Sequence, residues 1–175
     1  KAGRERNSRA RYSRDWWLFS ENRSGLRTAL QGLDRYIVTL EIGKHRWFTL
    51  LGAEVVADNR LVCVASDDPF ILGVLSSRAH RIWAEAVVDA PAATEIYTKT
   101  ACFDRFAFPD ARPGQRVAIG AVAEALDRVR AEVLAGRPRL TMTGLYNALA
   151  AGEDAGGIAR VRRLHAELDD LVAAA

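Results

Sequence analysis

The run Asp67-Asp68-Pro69-Phe70-Ile71-Leu72-Gly73-Val74-Leu75-Ser76-Ser77-Arg78-Ala79-His80-Arg81-Ile82-Trp83 decides how this chain is read. An acidic residue followed by proline is a helix start. Asp67 or Asp68 can accept from the free N–H groups of the first turn, and proline fits there because its missing N–H goes unused. From that point Ile71, Val74, Leu75, Ile82, Trp83, Ala86 and Val87 recur on one face at the helical period of about 3.6 residues. Ser77, Arg78, His80 and Arg81 fall on the other face. The spacing predicts one long helix, ended by Asp89-Ala90-Pro91, with Trp83 in the core.

Upstream, the pattern changes to that of strands. Arg35-Tyr36-Ile37-Val38-Thr39-Leu40 is β-branched and aromatic, Gly43-Lys44-His45-Arg46 interrupts it, and Trp47-Phe48-Thr49-Leu50-Leu51 resumes. Val55-Val56 and Leu61-Val62-Cys63-Val64-Ala65 read as further strands about the polar turn Asp58-Asn59-Arg60. Before them, Ser24 can cap a short helix that buries Leu26, Ala29, Leu30 and Leu33. Trp16-Trp17-Leu18-Phe19 is an apolar knot, and residues 1–14 read as a linker. Downstream, residues 92–109 have no steady period and are expected as a loop or short extended segment pinned by Tyr97, Phe103, Phe106 and Phe108.

At Pro113-Gly114 the composition turns to alanine-rich helix, with Val122, Leu126, Val129 and Val133 spaced four, three and four apart. Gly136 and Pro138 stop that helix. Thr141 or Thr143 caps a short one containing Leu145, Tyr146 and Leu149. After Gly156-Gly157 a last helix is expected to bury Ile158, Val161, Leu164, Leu168 and Leu171. The fold class is therefore α+β: a mixed β-sheet domain with packed helices over residues 15–112, then a small C-terminal helical bundle over 113–175.

The 175 residues carry a net charge of +3, unevenly spread. Residues 1–14 hold Lys1, Arg4, Arg6, Arg9, Arg11 and Arg14 against Glu5, while the rest of the chain is close to neutral. Nearly all the basic residues are arginine, whose planar fork suits phosphate and guanine edges, although GC-rich coding gives the same bias. Nothing nears the roughly 18 unbroken apolar residues of a membrane span. Cys63 and Cys102 stand alone in apolar surroundings, as unpaired thiols of a reducing cytoplasm would. The chain starts at Lys1 without an initiator Met and is read as a piece of something longer.

Catalytic patterns are missing. There is no Gly-rich phosphate loop, no G-x-S-x-G elbow, no E-x-K nuclease signature (positions 42 and 97 are Ile and Tyr), and no Asn-Pro-Pro-Tyr. The carboxylate pairs Asp67-Asp68 and Asp169-Asp170 suit a helix start and a solvated helix face. No catalytic residue, metal ligand or cofactor site is assigned.

Three stretches, in order, carry a resemblance. They are Tyr36-Ile37-Val38 with Gly43-Lys44-His45-Arg46-Trp47-Phe48, then the run from Gly73 to Trp83, then Tyr97-Thr98-Lys99-Thr100-Ala101-Cys102-Phe103-Asp104-Arg105-Phe106-Ala107-Phe108-Pro109. Together they resemble the target recognition domain of MmeI-like restriction-modification enzymes (type IIL, within type IIG). Trp16-Trp17-Leu18-Phe19 fits the entry to that domain. Leu140-Thr141-Met142-Thr143-Gly144-Leu145-Tyr146-Asn147 fits the helical domain that follows it. One departure is Ala107, where many relatives have proline.

The resemblance implies a DNA-reading part of an adenine-N6 methyltransferase, with partners in double-stranded DNA and in a methyltransferase domain of the same polypeptide. S-adenosylmethionine, and Mg2+ if a nuclease is present, would then belong to the parent enzyme. On this basis Lys44, His45, Arg46, Ser77 and Arg78, with His80 and Arg81 on the helix, are expected to grip phosphates. Glu95, Tyr97 and Lys99, with Thr98 or Thr100, are expected to read bases, Glu95 accepting from cytosine and Lys99 donating to guanine. The competing reading is a protein–protein module of a phage-defence complex built on the same fold.

Overall fold

The computed structural model describes residues 24–88 and 95–175. The linker expected at 1–14, the Trp16-Trp17-Leu18-Phe19 knot and the helix end at Asp89-Ala90-Pro91 lie outside them. Gly32–Ala175 packs as one compact unit. The helix Ser24–Ala29 (α1) belongs to the separate unit Lys1–Gln31. Ser24 is its first residue, and none of its residues is fully buried, so the buried stripe expected there is not present.

The sheet has strands β1 (Arg35–Leu40), β3 (Thr49–Gly52) and β4 (Leu61–Val64), in the order β3-β1-β4. Ile37 pairs with Leu50 on one side and with Val64 on the other. Both ladders are antiparallel, as is the short pairing of β2 (Ile42–Gly43) with β5 (Glu95–Ile96). The class is α+β as expected, but every ladder among the described residues is antiparallel where a mixed sheet was expected. The central strand explains its own composition: Tyr36, Ile37, Val38 and Thr39 are all buried, so both of its faces must be apolar or satisfied. Thr39 meets that condition by donating from Oγ1 to the Trp47 carbonyl at 2.7 Å.

Val55-Val56 forms no strand. β3 ends at Gly52, the chain turns through Ala53-Glu54, and Val55 and Val56 are left 42% and 69% exposed. The turn is closed by Val55 N–H donating to the Gly52 carbonyl at 3.0 Å, and the Tyr36 hydroxyl donates to the Val55 carbonyl at 2.9 Å.

The deciding run forms two helices, α2 (Pro69–Ser76) and α3 (Arg78–Val87). Asp68 caps α2, its carboxylate accepting from Phe70 N–H at 2.8 Å, and Pro69 opens the first turn. Ser77 is extended (φ −77°, ψ 158°) and ends α2. Its hydroxyl donates to the Val74 carbonyl at 2.7 Å and accepts from His80 N–H at 3.4 Å, so one side chain closes one helix and caps the next. The break resets the helical phase. His80 and Ala84 turn to the core, while Ile82 is left 50% exposed and Trp83 half-buried, its indole N–H donating to the Cys102 carbonyl at 3.1 Å. The single helix with Ile82 and Trp83 inside is thereby corrected.

α2 is buried on both sides, which is why its sequence is apolar nearly all round. Phe70 and Val74 pack against the C-terminal helices α4 (Pro113–Ala135), α5 (Met142–Ala150) and α6 (Ile158–Ala173). Leu72 and Leu75 pack toward the sheet, with Ile37, Phe48, Tyr97 and Cys102. Gly73 lets α2 approach α4 closely: a Cβ there would lie 2.5 Å from Ile119 Cγ2. Val122, Leu126, Val129 and Val133 line the core side of α4 as their spacing predicts. Thr141 caps α5, accepting from Gly144 N–H at 3.1 Å.

Candidate functional site

A cleft of about 280 Å³ opens where four parts of the unit meet. The β2–β3 loop contributes His45 and Arg46, and the α2–α3 junction contributes Leu75, Ser76, Ser77, Arg78 and Arg81. α5 contributes Tyr146, Leu149 and Ala150, and α6 contributes Arg162, His165 and Asp169. Four arginines and one carboxylate thus face one cavity, a local excess of positive charge that the near-neutral composition of these segments conceals.

Each wall is fixed by contacts that leave few alternatives. Asn147 on α5 anchors the loop: its Oδ1 accepts from Lys44 Nζ at 2.7 Å and lies 2.9 Å from His45 Nε2. The His45 ring also stacks on Tyr146, with centroids 6.0 Å apart. Behind Tyr146 runs a buried polar chain. Arg130, wholly buried, donates to the Phe48 carbonyl at 2.8 Å, to the Tyr146 hydroxyl at 3.0 Å and to Asp127 at 3.1 Å. Because Tyr146 Oη accepts from Arg130, its own proton is free to go to His165 Nε2, 2.9 Å away. That requires His165 neutral, as it is: burial, with the charges of Arg130 and Arg81, lowers its pKa to about 3. Asp169 on α6 accepts from the backbone N–H of Arg78 at 2.7 Å, so α6 caps α3 from across the cleft.

The expected phosphate-gripping residues separate into two groups. His45, Arg46, Ser77, Arg78 and Arg81 come together on this cleft from positions remote in sequence, and Lys44 is exposed on the same loop. Two of these cannot present their polar groups outward. Ser77 is 1% exposed and its hydroxyl is committed to the helix junction. Arg46 is buried, donating to Thr39 Oγ1 at 3.1 Å and to the Leu40 carbonyl, with its guanidinium 5.0 Å over the Tyr97 ring. It adds charge to the cleft more than contact.

His80 and Tyr97 are corrected outright, since neither is a surface group. Both are 0% exposed, and His80 Nε2 lies 2.9 Å from the Tyr97 hydroxyl. Phe48 and Phe106 enclose the His80 ring edge-on, with centroids at 5.7 and 4.4 Å. Burial, then the charge of Arg46, lowers the His80 pKa to about 4, and burial raises that of Tyr97 above the ordinary phenol range. Whichever of the two donates, His80 Nδ1 is left without a hydrogen-bond partner among the described residues.

The other expected base readers lie away from the cleft lining. Thr98 caps a π-helical turn (Lys99–Phe103), its hydroxyl accepting from Ala101 N–H at 3.3 Å. Lys99 is exposed and pairs with Asp104 at 2.7 Å, and Thr100 is exposed. Glu95 is placed by β5 opposite Gly43. Among the described residues no three His, Cys, Asp or Glu side chains gather into a cation site, and no helix is long and apolar enough to cross a membrane.

Tyr146, Asn147 and Arg162 were not assigned to a site from the sequence, although Tyr146 and Asn147 end the stretch Leu140–Asn147 that carried the resemblance. Asp169, expected with Asp170 on a solvated helix face, instead lines the cleft and accepts from the Arg78 N–H.

The fold is shared with a solved structure. MmeI, a type IIL restriction-modification enzyme in complex with DNA, superposes with a TM-score of 0.68 over 82% of this chain, at 21% sequence identity. The chain spans 18% of the length of that enzyme. No family model matches the chain, and no curated protein matches it.

Proposed function

We propose that this chain is the target-recognition part of a type IIG/IIL restriction-modification adenine-N6 DNA methyltransferase, holding duplex DNA for methyl transfer by a separate domain of the same polypeptide. The observation that carries the reading is the cleft itself. Cations from the β2–β3 loop and the α2–α3 junction converge on one cavity, in a fold shared with an enzyme bound to DNA. In this reading residues 15–112 form the recognition domain and 113–175 its helical support.

Lys44, His45, Arg78 and Arg81 then meet phosphates, which fix register without reading sequence. Glu95, Lys99 and Thr100 meet base edges from the β5 and π-turn segment. The methyl donor belongs to the separate domain, because a cleft with surplus arginines does not suit the sulfonium cation of S-adenosylmethionine. Chemistry on an adenine needs the base outside the stack, so a module that grips and orients the duplex is the complement such an enzyme requires.

A fluorescence-anisotropy titration of labelled duplex DNA at two salt concentrations tests the reading. Binding that weakens steeply with salt is expected. Salt-independent or absent binding would favour the protein–protein module instead.

A further inference from the structure

We propose that the cleft seats one phosphate group between Arg78 and Arg81, and that Asp169 is its built-in competitor. The source of that phosphate, the backbone of duplex DNA, rests on the reading above; the seat does not.

The cations of the cleft are not equivalent. Arg162 is spent on the end of α5, donating to the carbonyls of Leu149 at 3.1 Å and Glu153 at 2.9 Å and to Asp154 at 3.1 Å. Arg46 is spent on Thr39, Leu40 and the Tyr97 ring. The Arg78 guanidinium makes no hydrogen bond or ion pair with any described residue. Arg81 reaches only Glu85, at 3.7 Å, and its side chain is half exposed. Arg78 and Arg81 stand three residues apart on α3, hence on neighbouring positions of one helical face. Two planar forks so placed can share one tetrahedral anion.

On the same wall, Ser76 Oγ is shielded from solvent and has no hydrogen-bond partner among the described residues, a polar deficit that a turn of its side chain toward a bound oxygen would remove. A cavity of about 280 Å³ has room for a phosphate group.

Asp169 sets the affinity of the seat. It is the only carboxylate among the described residues of the cleft, and its Oδ1 already takes the Arg78 N–H. The Arg78 N–H is therefore already taken, and an entering anion meets the charge of Asp169. Either the carboxylate swings away or the phosphate binds against it, and in both cases Asp169 weakens binding. Asp169→Asn removes the charge and keeps an oxygen for the Arg78 N–H.

The test has two arms. In the first, labelled duplex DNA is titrated with wild type, Asp169→Asn and the double variant Arg78→Ala/Arg81→Ala. Asp169→Asn should tighten binding about five-fold on every sequence, and the double variant should weaken it at least about tenfold and flatten the salt slope by about 1 to 2. In the second, Tm is measured in inorganic phosphate and in chloride at matched ionic strength. Phosphate should raise the Tm of wild type, raise that of Asp169→Asn further, and leave that of the double variant unmoved.

If duplex binds and none of the substitutions changes its affinity or the phosphate effect, the seat is wrong and the DNA reading stands. If phosphate acts as stated but duplex does not bind, the seat stands and the DNA reading falls. Unchanged circular dichroism of the variants assigns either outcome to the site and not to the fold.

Discussion

The two sides of α2 are built by different rules. Toward the C-terminal helices it meets a core of Ile119, Val122, Leu126, Leu145, Ile158 and Leu168, set by helical spacing. Toward the sheet it meets Phe48, Tyr97 and Cys102, and beside them His80 is buried with a hydrogen bond and an unpartnered nitrogen. The helical side is legible because burial and hydrophobicity coincide there at every one of these positions, with buried Arg130 standing outside the pattern. The sheet side is not, because its most buried position on α3 is a histidine. The difference teaches where this chain concentrates constraint: the polar core lies directly behind the loop and junction that form the cleft.

The largest effect tests whether the helical side is as apolar as its pattern suggests. Arg130 sits on α4 between Val129 and Val133 and is wholly buried. Arg130→Ala strips donors from the Phe48 carbonyl, Tyr146 and Asp127 together. It should cost about 3 to 5 kcal/mol in urea unfolding. A loss under about 1 kcal/mol would mean that apolar packing alone holds α4 in place and that the polar chain is incidental.

Arg130 also marks a limit of the sequence. The period of α4, the caps at Asp68 and Thr141, the proline start of α2 and the central strand could all be read, since each rests on local chemistry. The break at Ser77 could not. Leu75 and Ile82 are seven residues apart, two helical turns, so the apolar pattern runs through the break as though it were absent. From that one unseen cap followed the misplacing of Ile82, Trp83 and His80. The site was legible in part for a related reason. Lys44 and His45 lie on a strand connection and Arg78 and Arg81 on a polar helix face, both visible in the local pattern, whereas Asp169 and Arg162 reach the cleft only through tertiary packing.

Next in size is a pH effect confined to the sheet side. The His80 pKa falls from 6.5 to about 4, so as pH drops the unfolded chain takes up a proton first. The stability that depends on neutral His80 is complete above about pH 6.5 and is lost progressively down to about pH 4, by about 3 kcal/mol in all. His165, lowered to about 3, adds loss in the same direction. Urea unfolding from pH 7 to pH 4, with imidazole NMR to follow His80, checks this. A flat profile, or a His80 that titrates near 6.5, would show that the ring is not held neutral in the core.

Gly73→Ala tests the seam between the two sides. Its Cβ would meet Ile119 Cγ2 at 2.5 Å and the Ile119 carbonyl at 3.1 Å, so α2 and α4 must separate. Ala normally favours a helix over Gly by about 1 kcal/mol. Here overpacking should reverse the sign and destabilise by about 1 to 3 kcal/mol. A Tm at or above that of wild type would mean that the seam is looser than its geometry.

The smallest effect on stability carries the clearest functional contrast. Lys99 is 70% exposed and its partner Asp104 40%, so their ion pair at 2.7 Å is a solvated one. Lys99→Ala should move stability by no more than about 0.5 kcal/mol. A residue that contributes so little to folding is free to be chosen for what it meets outside the chain. If the π-turn segment reads bases, the same substitution in the parent enzyme changes which base pair is accepted at one position, with discrimination of about 1 to 3 kcal/mol at stake. Lys44→Ala, by contrast, weakens binding on all sequences alike. Mapping methylated sites of the two variants separates the roles: an unchanged site list for Lys99→Ala would remove the π-turn from recognition and leave the cleft as a grip without a reader.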